Sequence, residues 1–212
     1  MSAPLTIALP RGALLEPTLD LLDRLEIDTS EVRSNERKLL FAEAGLVTVR
    51  PSDVPTYVEH GAADIGVTGK DVLLERPERE VYELLDLGYG ECRMVVATRA
   101  ADDDIVESSL RRLGRVRIAT KYPRIAAGYF AETGRQAEIV EVKGSVELAP
   151  LAGLADAIVD LTATGRTLVE NDLVEREQIT VCTARLVANP VAHKLRAQDI
   201  DSLIERIREA AQ

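Results

Sequence analysis

One stretch of this chain returns later, ungapped and partly changed. DVPTYVEHGAADIGV (Asp53–Val67) is echoed ninety-two residues on by SVELAPLAGLADAIV (Ser145–Val159). Val54, Gly61, Ala63, Asp64 and Val67 meet their match in Val146, Gly153, Ala155, Asp156 and Val159. Each copy reads as a short helix, a glycine stop, a small-Asp turn and a buried strand. Two readings stand open: two unrelated helix–turn–strand units that look alike, or two related α/β lobes. In the second reading a substrate cleft lies between the lobes. Both copies then aim the carboxyl end of a strand at it, where α/β sheets take their ligands.

The rest of the chain keeps the alternation. Leu5–Leu9, Leu46–Val49, Ile65–Val67, Met94–Ala97, Val116–Ala119, Ala137–Val142 and Val181–Ala188 have the length and content of strands. Between them, Leu14, Leu15, Thr18, Leu19, Leu22 and Leu25 mark one helical face, with Pro17 in the first turn, where a missing N–H costs little. Val54–His60 and Pro123–Glu132 read as helices, and Ile200, Leu203, Ile204 and Ile207 face one way on a terminal helix. Strands alternating with helices predict an α/β fold with largely parallel sheet.

Charge narrows the partners. The chain carries a formal net charge of −10, so it repels nucleic acid and anionic membranes unless a basic patch intervenes. The short basic runs Arg111-Arg112 and Arg115–Arg117 are balanced by Asp102–Asp104 and Glu107. No leader precedes Leu5–Leu9 and no apolar run approaches the ~18 residues of a membrane span, so a soluble, cytoplasmic protein is expected. Cys92 and Cys182 stand far apart in sequence without metal-like spacing and read as buried free thiols of a reducing compartment.

The second copy of the echo runs into AIVDLTATGRTL (Ala157–Leu168). A strand, a small polar turn and a helix start form an anion site, because backbone N–H groups and the helix dipole point outward. Gly165 lets the backbone approach closely, and Thr162, Thr164 and Thr167 offer hydroxyls. Ala163 keeps the turn small and Arg166 can add charge; an ordinary N-cap turn is the alternative. Asp160, at the strand's carboxyl end, suits sugar hydroxyls or Mg²⁺ rather than phosphate. A ligand with both a phosphate and a ribose, such as phosphoribosyl pyrophosphate, satisfies both halves. The common phosphoribosyltransferases place two adjacent acids before such a turn, and here Leu161 replaces the second. Glu141 or Glu147 can supply the other carboxylate.

The segment EVKGSVELAPLAGLADAIVDLTATGRTL (Glu141–Leu168) resembles the signature of the ATP phosphoribosyltransferases, in their short form. The resemblance extends to LTIALPRG (Leu5–Gly12), RKLLF (Arg37–Phe41), Val49–Glu75, Glu83–Ala97 and Arg117–Phe130, and so covers most of the chain. It implies two lobes of the periplasmic-binding-protein type, residues 1–93 plus 181–212 and residues 94–180. It implies joining of N1 of ATP to the anomeric carbon of phosphoribosyl pyrophosphate with Mg²⁺, releasing pyrophosphate. In that frame Thr162–Thr167 hold the 5′-phosphate, and Asp160 and Glu141 the ribose hydroxyls. Arg11 and Arg37 take the pyrophosphate and ATP phosphates, guanidinium groups bonding such oxygens in fork geometry. Gly12, Arg50, Lys70 and Asp71 are secondary candidates near ATP. No protein side chain is assigned to the metal.

One motif departs from the family pattern. Pro-Lys-Gly-Arg is usual after the first strand; this chain has Pro10-Arg11-Gly12-Ala13. Either Arg11 serves both roles, or Arg37 carries more of the leaving-group charge, with help from Arg50. The resemblance further implies a catalytic-subunit homodimer that joins a regulatory subunit similar to histidyl-tRNA synthetase in a hetero-octamer. A two-lobed solute-binding protein is the non-enzymatic rival, and a common phosphoribosyltransferase acting on a free base is the enzymatic one.

Overall fold

The computed structural model of the chain describes residues 4–35 and 37–210. The chain forms two compact units, parted between Gly90 and Glu91 and again between Cys182 and Thr183. The first unit opens with β1 (Ile7–Pro10), α1 (Leu15–Arg24), α2 (Ser30–Ser34), β2 (Leu40–Phe41) and β3 (Leu46–Val49). A 3₁₀ turn at Pro51–Asp53 leads to α3 (Val54–Glu59), β4 (Ile65–Gly69), α4 (Lys70–Glu75) and β5 (Tyr82–Asp86). The second unit holds β6 (Cys92–Arg99), α5 (Ile105–Leu113), β7 (Val116–Thr120), α6 (Pro123–Glu132) and β8 (Ala137–Glu141). It continues with α7 (Leu148–Leu151), β9 (Ala157–Thr162), α8 (Arg166–Glu170) and β10 (Leu173–Cys182). The chain returns to the first unit as β11 (Ala184–Ala188), α9 (Pro190–Leu195) and α10 (Ala197–Ala210).

The first unit is a sheet in the order β2-β3-β1-β4-β11-β5, the second a sheet in the order β10-β6-β9-β7-β8. Each has three adjacent parallel strands, β3-β1-β4 inside the first sheet and β9-β7-β8 at one end of the second. The remaining strands, β2, β11 and β5 in the first sheet and β6 and β10 in the second, run antiparallel to their neighbours, so the sheets are mixed rather than largely parallel. The expected strand Val181–Ala188 is divided: Val181 and Cys182 end β10, and Ala184 begins β11 in the other unit. The rest of β10, LVEREQITVC, carries no strand signal because the charged run Glu175-Arg176-Glu177 interrupts it, most of its residues are at least partly exposed, and bulges fall between Glu175 and Glu177 and between Gln178 and Thr180. An edge ribbon needs no apolar run.

The sequence echo is an echo in hydrogen bonding. After α3, the N–H groups of Gly61 and Ala62 donate to the carbonyls of Val58 and Tyr57 at 3.0 and 2.9 Å. After α7, those of Gly153 and Leu154 donate to Pro150 and Ala149 at 3.2 and 2.9 Å. Both are Schellman stops, and both glycines take the left-handed conformation they require, φ 72° and 71°. The aspartates that follow do the same work. The Asp64 Oδ2 accepts the N–H of Thr6, just before β1, at 2.8 Å, and the Asp156 Oδ2 accepts that of Arg117 in β7 at 2.8 Å.

α1 and α10 cover one face of the first sheet. Leu19, Leu22 and Leu25 pack with Ile200, Leu203 and Ile207 over Ile7, Leu9, Leu46 and Ile65. Each fully buried aliphatic contributes roughly 1.5–3 kcal/mol. α3 covers the other face with Val54 and Val58 against Ala8, Val47 and Val187. In the second unit α5 and α6 lie over Met94, Val96, Ile118 and Val159, and the shorter α7 and α8 over Val95, Ala97, Ala119 and Ile158.

The two units differ at one position under the echoed helix. Gly66 stands where the second unit has Ile158, and a Cβ there would meet Val54 Cγ1 at 2.6 Å and Val58 Cγ2 at 2.9 Å. α3 therefore rests directly on the β4 backbone. Gly66→Ala is expected to destabilise the chain by about 1–3 kcal/mol. Urea unfolding reads this as a lower midpoint at unchanged slope; an unchanged midpoint would show that α3 has room to spare.

Candidate active site

The pocket is built at the carboxyl end of β9. Along this strand Ala157, Val159 and Leu161 face the α5–α6 side, and Ile158 faces the α7–α8 side. Strand alternation puts Asp160 and Thr162 on the side of Ile158. The last ladder pair with β7 is Thr120 with Val159. Thr120 closes that strand: its hydroxyl donates to the Val159 carbonyl at 2.6 Å and accepts the Tyr122 N–H at 2.8 Å. Asp160 is thus the first residue of β9 past its parallel neighbour.

The Asp160 Oδ1 accepts the N–H of Leu161 at 2.8 Å, and its cross-strand partner Val95 is fully buried. Burial pushes the carboxyl up from the ordinary carboxylate range; the Leu161 N–H and the Lys121 ammonium pull it back, and Glu147 repels it. Beyond Asp160 the turn is already closed. The Thr162 Oγ1 accepts the Gly165 N–H at 2.9 Å, and the Thr164 Oγ1 accepts the Arg166 N–H at 3.4 Å. Gly165 caps α8 at φ 75°, with open space where a side chain would stand. Leu168, buried in the core, anchors the helix from below. α8 spans only 5 residues, so the anion-holding groups are local N–H and hydroxyl groups more than a long helix dipole.

These residues line a pocket of about 320 Å³: Glu147, Asp160, Leu161, Thr162, Ala163, Thr164, Arg166, Thr167 and Leu168. Glu141 is exposed at the end of β8, two strands from β9, and does not line it. The acidic neighbour of Asp160 is Glu147. Two further residues escaped the sequence reading. Lys121 follows Thr120 and acts on Asp160 through its charge. Arg93, in β6, stands opposite Thr162 in register, so the two side chains share a face. Its Nη2 meets Glu175 at 2.9 Å, while its buried Nε has no hydrogen-bond partner among the described residues. Within ECRMVVA, Arg93 reads only as a charged residue beginning a strand; the signal is a cross-strand register that no local pattern carries.

The first-unit candidates gather at one end of their sheet. Arg11 and Gly12 follow β1, Arg50 follows β3, and Lys70 and Asp71 follow β4, three adjacent parallel strands. Arg37 joins that end, since the approach to β2 runs beside β3, with the Thr48 N–H donating to the Leu39 carbonyl at 2.8 Å. Arg11, Arg37 and Arg50 are exposed. Lys70 pairs with Glu83 at 2.6 Å, and Asp71 is buried with its carboxylate folded over Gly69. Among the described residues no group of three or more His, Cys, Asp or Glu side chains could hold a metal ion, and no helix is long and apolar enough to cross a membrane.

Asp160 bears a charge that its surroundings disfavour. A carboxylate whose folded pKa is raised weakens the fold once pH exceeds the unfolded value, and the deficit is complete above the folded one. Asp160→Asn, which keeps the bond from Leu161, should therefore be more stable than the unaltered chain at pH 7. That advantage should disappear as pH falls below the ordinary carboxylate range. Urea unfolding across pH measures it; a variant less stable at pH 7 would make Asp160 a structural residue.

Comparison with known proteins supplies the family. The model of the ATP phosphoribosyltransferase family HisG matches residues 50–209. The ATP phosphoribosyltransferase of Rubrobacter xylanophilus is 49% identical over 96% of this chain and 94% of its own length. A solved ATP phosphoribosyl transferase (HisG:HisZ) complex from Thermotoga maritima superposes with a TM-score of 0.80 at 37% identity, covering 98% of both chains. The alkanesulfonate-binding protein SsuA from Xanthomonas axonopodis, 12% identical with a TM-score of 0.58 over 99% of this chain and 73% of its own, shows the fold alone. That fold is the two-lobed periplasmic-binding-protein type. The chain belongs to the ATP phosphoribosyltransferase family and is an enzyme of that family.

Proposed function

We propose that the chain joins N1 of the adenine of ATP to the anomeric carbon of phosphoribosyl pyrophosphate, giving phosphoribosyl-ATP and pyrophosphate, the first step of histidine biosynthesis. The observation that carries this reading, within the family, is one pocket holding both Asp160 and the threonine–glycine turn Thr162–Thr167. The turn suits a phosphate and the carboxylate suits ribose hydroxyls, so a single ligand bearing both fills it.

The reaction needs no covalent intermediate. N1 brings a lone pair; the C1–N1 bond forms as the C1–O bond to pyrophosphate breaks, and the electron pair leaves on the pyrophosphate oxygen. Positive charge builds on the ribose ring in between, and an ionised Asp160 stabilises it. The protein otherwise contributes alignment. Arg11 and Arg37 neutralise the leaving pyrophosphate, with Arg50 beside them at the same sheet end; Arg93 and Lys121 add charge around the ribose phosphate. Mg²⁺ would come with the diphosphate of the substrate and would help to neutralise its charge. Lys70, held by Glu83, is a weaker candidate for ATP than sequence alone suggests. By likeness to the HisG:HisZ complex, we further propose a regulatory partner similar to histidyl-tRNA synthetase, joined by a homodimer of this chain in a hetero-octamer.

The test mixes the purified chain with ATP, phosphoribosyl pyrophosphate and Mg²⁺, with pyrophosphatase present, and follows the ultraviolet absorbance of the N1-substituted adenine. A steady rise is expected, with the partner subunit added if the chain alone is silent. A flat trace with partner present, alongside undiminished ligand binding, would make the chain a binding protein.

A further inference from the structure

Cys92 opens β6 and Cys182 closes β10, and the antiparallel register sets them directly opposite each other as the last pair of the ladder. Sequence distance hides this, since the two lie 90 positions apart. Opposed residues of an antiparallel pair have Cα atoms about 4.5–5.5 Å apart, inside the window of about 4.4–6.8 Å that disulfides span. Their Cβ atoms point to the same face, so the thiols need no backbone reversal to meet. The Cys92 Sγ already approaches the Cys182 carbonyl oxygen at 3.8 Å. Neither is in a disulfide; Cys182 is buried, and Cys92 is partly exposed.

We propose that Cys92 and Cys182 form a dithiol that low-molecular-weight disulfides oxidise to an intramolecular cross-strand bond. The exposed member acts first. The Cys92 thiolate attacks one sulfur of glutathione disulfide; a mixed disulfide forms, the reagent's S–S bond breaks, and glutathione thiolate leaves. Cys182 then gives its proton to solvent and attacks the Cys92 sulfur, expelling the second glutathione. The protein loses two hydrogens, and one glutathione disulfide becomes two glutathione thiols. As the terminal pair, these residues can adjust their side chains without breaking ladder bonds beyond them. The bond also lies where the chain leaves the second unit at both ends, at Glu91 and at Cys182, and so ties the two connections together covalently.

The experiment equilibrates the full chain with glutathione buffers of increasing oxidised fraction, quenches with acid, alkylates, and maps unreduced peptides by mass. The expected product is a cross-linked peptide containing Cys92 and Cys182, formed independently of protein concentration and reversed by dithiothreitol. Cys182→Ser should stop at a glutathione adduct on Cys92. The proposal fails if the unaltered chain accumulates that adduct without cross-linking. It fails equally if both thiols stay reduced in oxidised glutathione alone.

Discussion

Each unit of this protein hangs on a carboxylate that holds the backbone of the neighbouring strand. Asp64 takes the Thr6 N–H beside β1, and Asp156 takes the Arg117 N–H in β7; the N–H groups of Asp64 and Asp156 return the bond to the carbonyls of Thr6 and Arg117 at 2.9 Å. Bonds to a charged acceptor contribute about 1.5–3 kcal/mol. Their larger effect is on register, because a slip of one residue would turn every side chain of β9 to the wrong face. With Asp156 fixed on Arg117, Val159 must meet Thr120 and Asp160 must fall just beyond the parallel neighbour. The pocket is placed by a bond at the opposite end of the strand.

The two aspartates of β9 and its approach show how environment divides labour between identical side chains. Burial opposes the charge of both. At Asp156 the Arg117 guanidinium and N–H overcome it, and the carboxyl sits below the ordinary range, its contribution present at neutral pH and lost as acid takes the pH through that depressed value. At Asp160 the Leu161 N–H and Lys121 do not overcome it, and the carboxyl sits above. The first is a structural anchor, and the second carries a cost that the proposed ribose ligand would offset. The threonines beside Asp160 follow the same logic. Thr162 and Thr164 close the turn on itself through the N–H groups of Gly165 and Arg166, so the loop is shaped before any ligand arrives.

What the sequence made legible was local. The echo, the apolar strands and the helix Pro123–Glu132 follow from periodicity and glycine stops, and Pro123–Glu132 is reproduced to the residue. The turn Thr162–Thr167 was legible because its chemistry is contiguous. What escaped was set by register across strands. Arg93 faces Thr162 and Cys92 faces Cys182, and neither pair shares a local pattern; of the two carboxylates the sequence left open, Glu147 lines the pocket and Glu141 does not. β10 was hidden for a related reason: charged residues on an edge ribbon, with two bulges, break the alternation that marks a strand.

The Thr162–Thr167 turn and Asp160 are the proposed binding place of phosphoribosyl pyrophosphate. Amide hydrogen exchange of the chain with and without the magnesium salt of that ligand tests this most directly. Slowed exchange should centre on residues 161–168, where backbone N–H groups would grip the 5′-phosphate. If those amides are unchanged at saturating ligand while others are protected, the pocket has been misassigned.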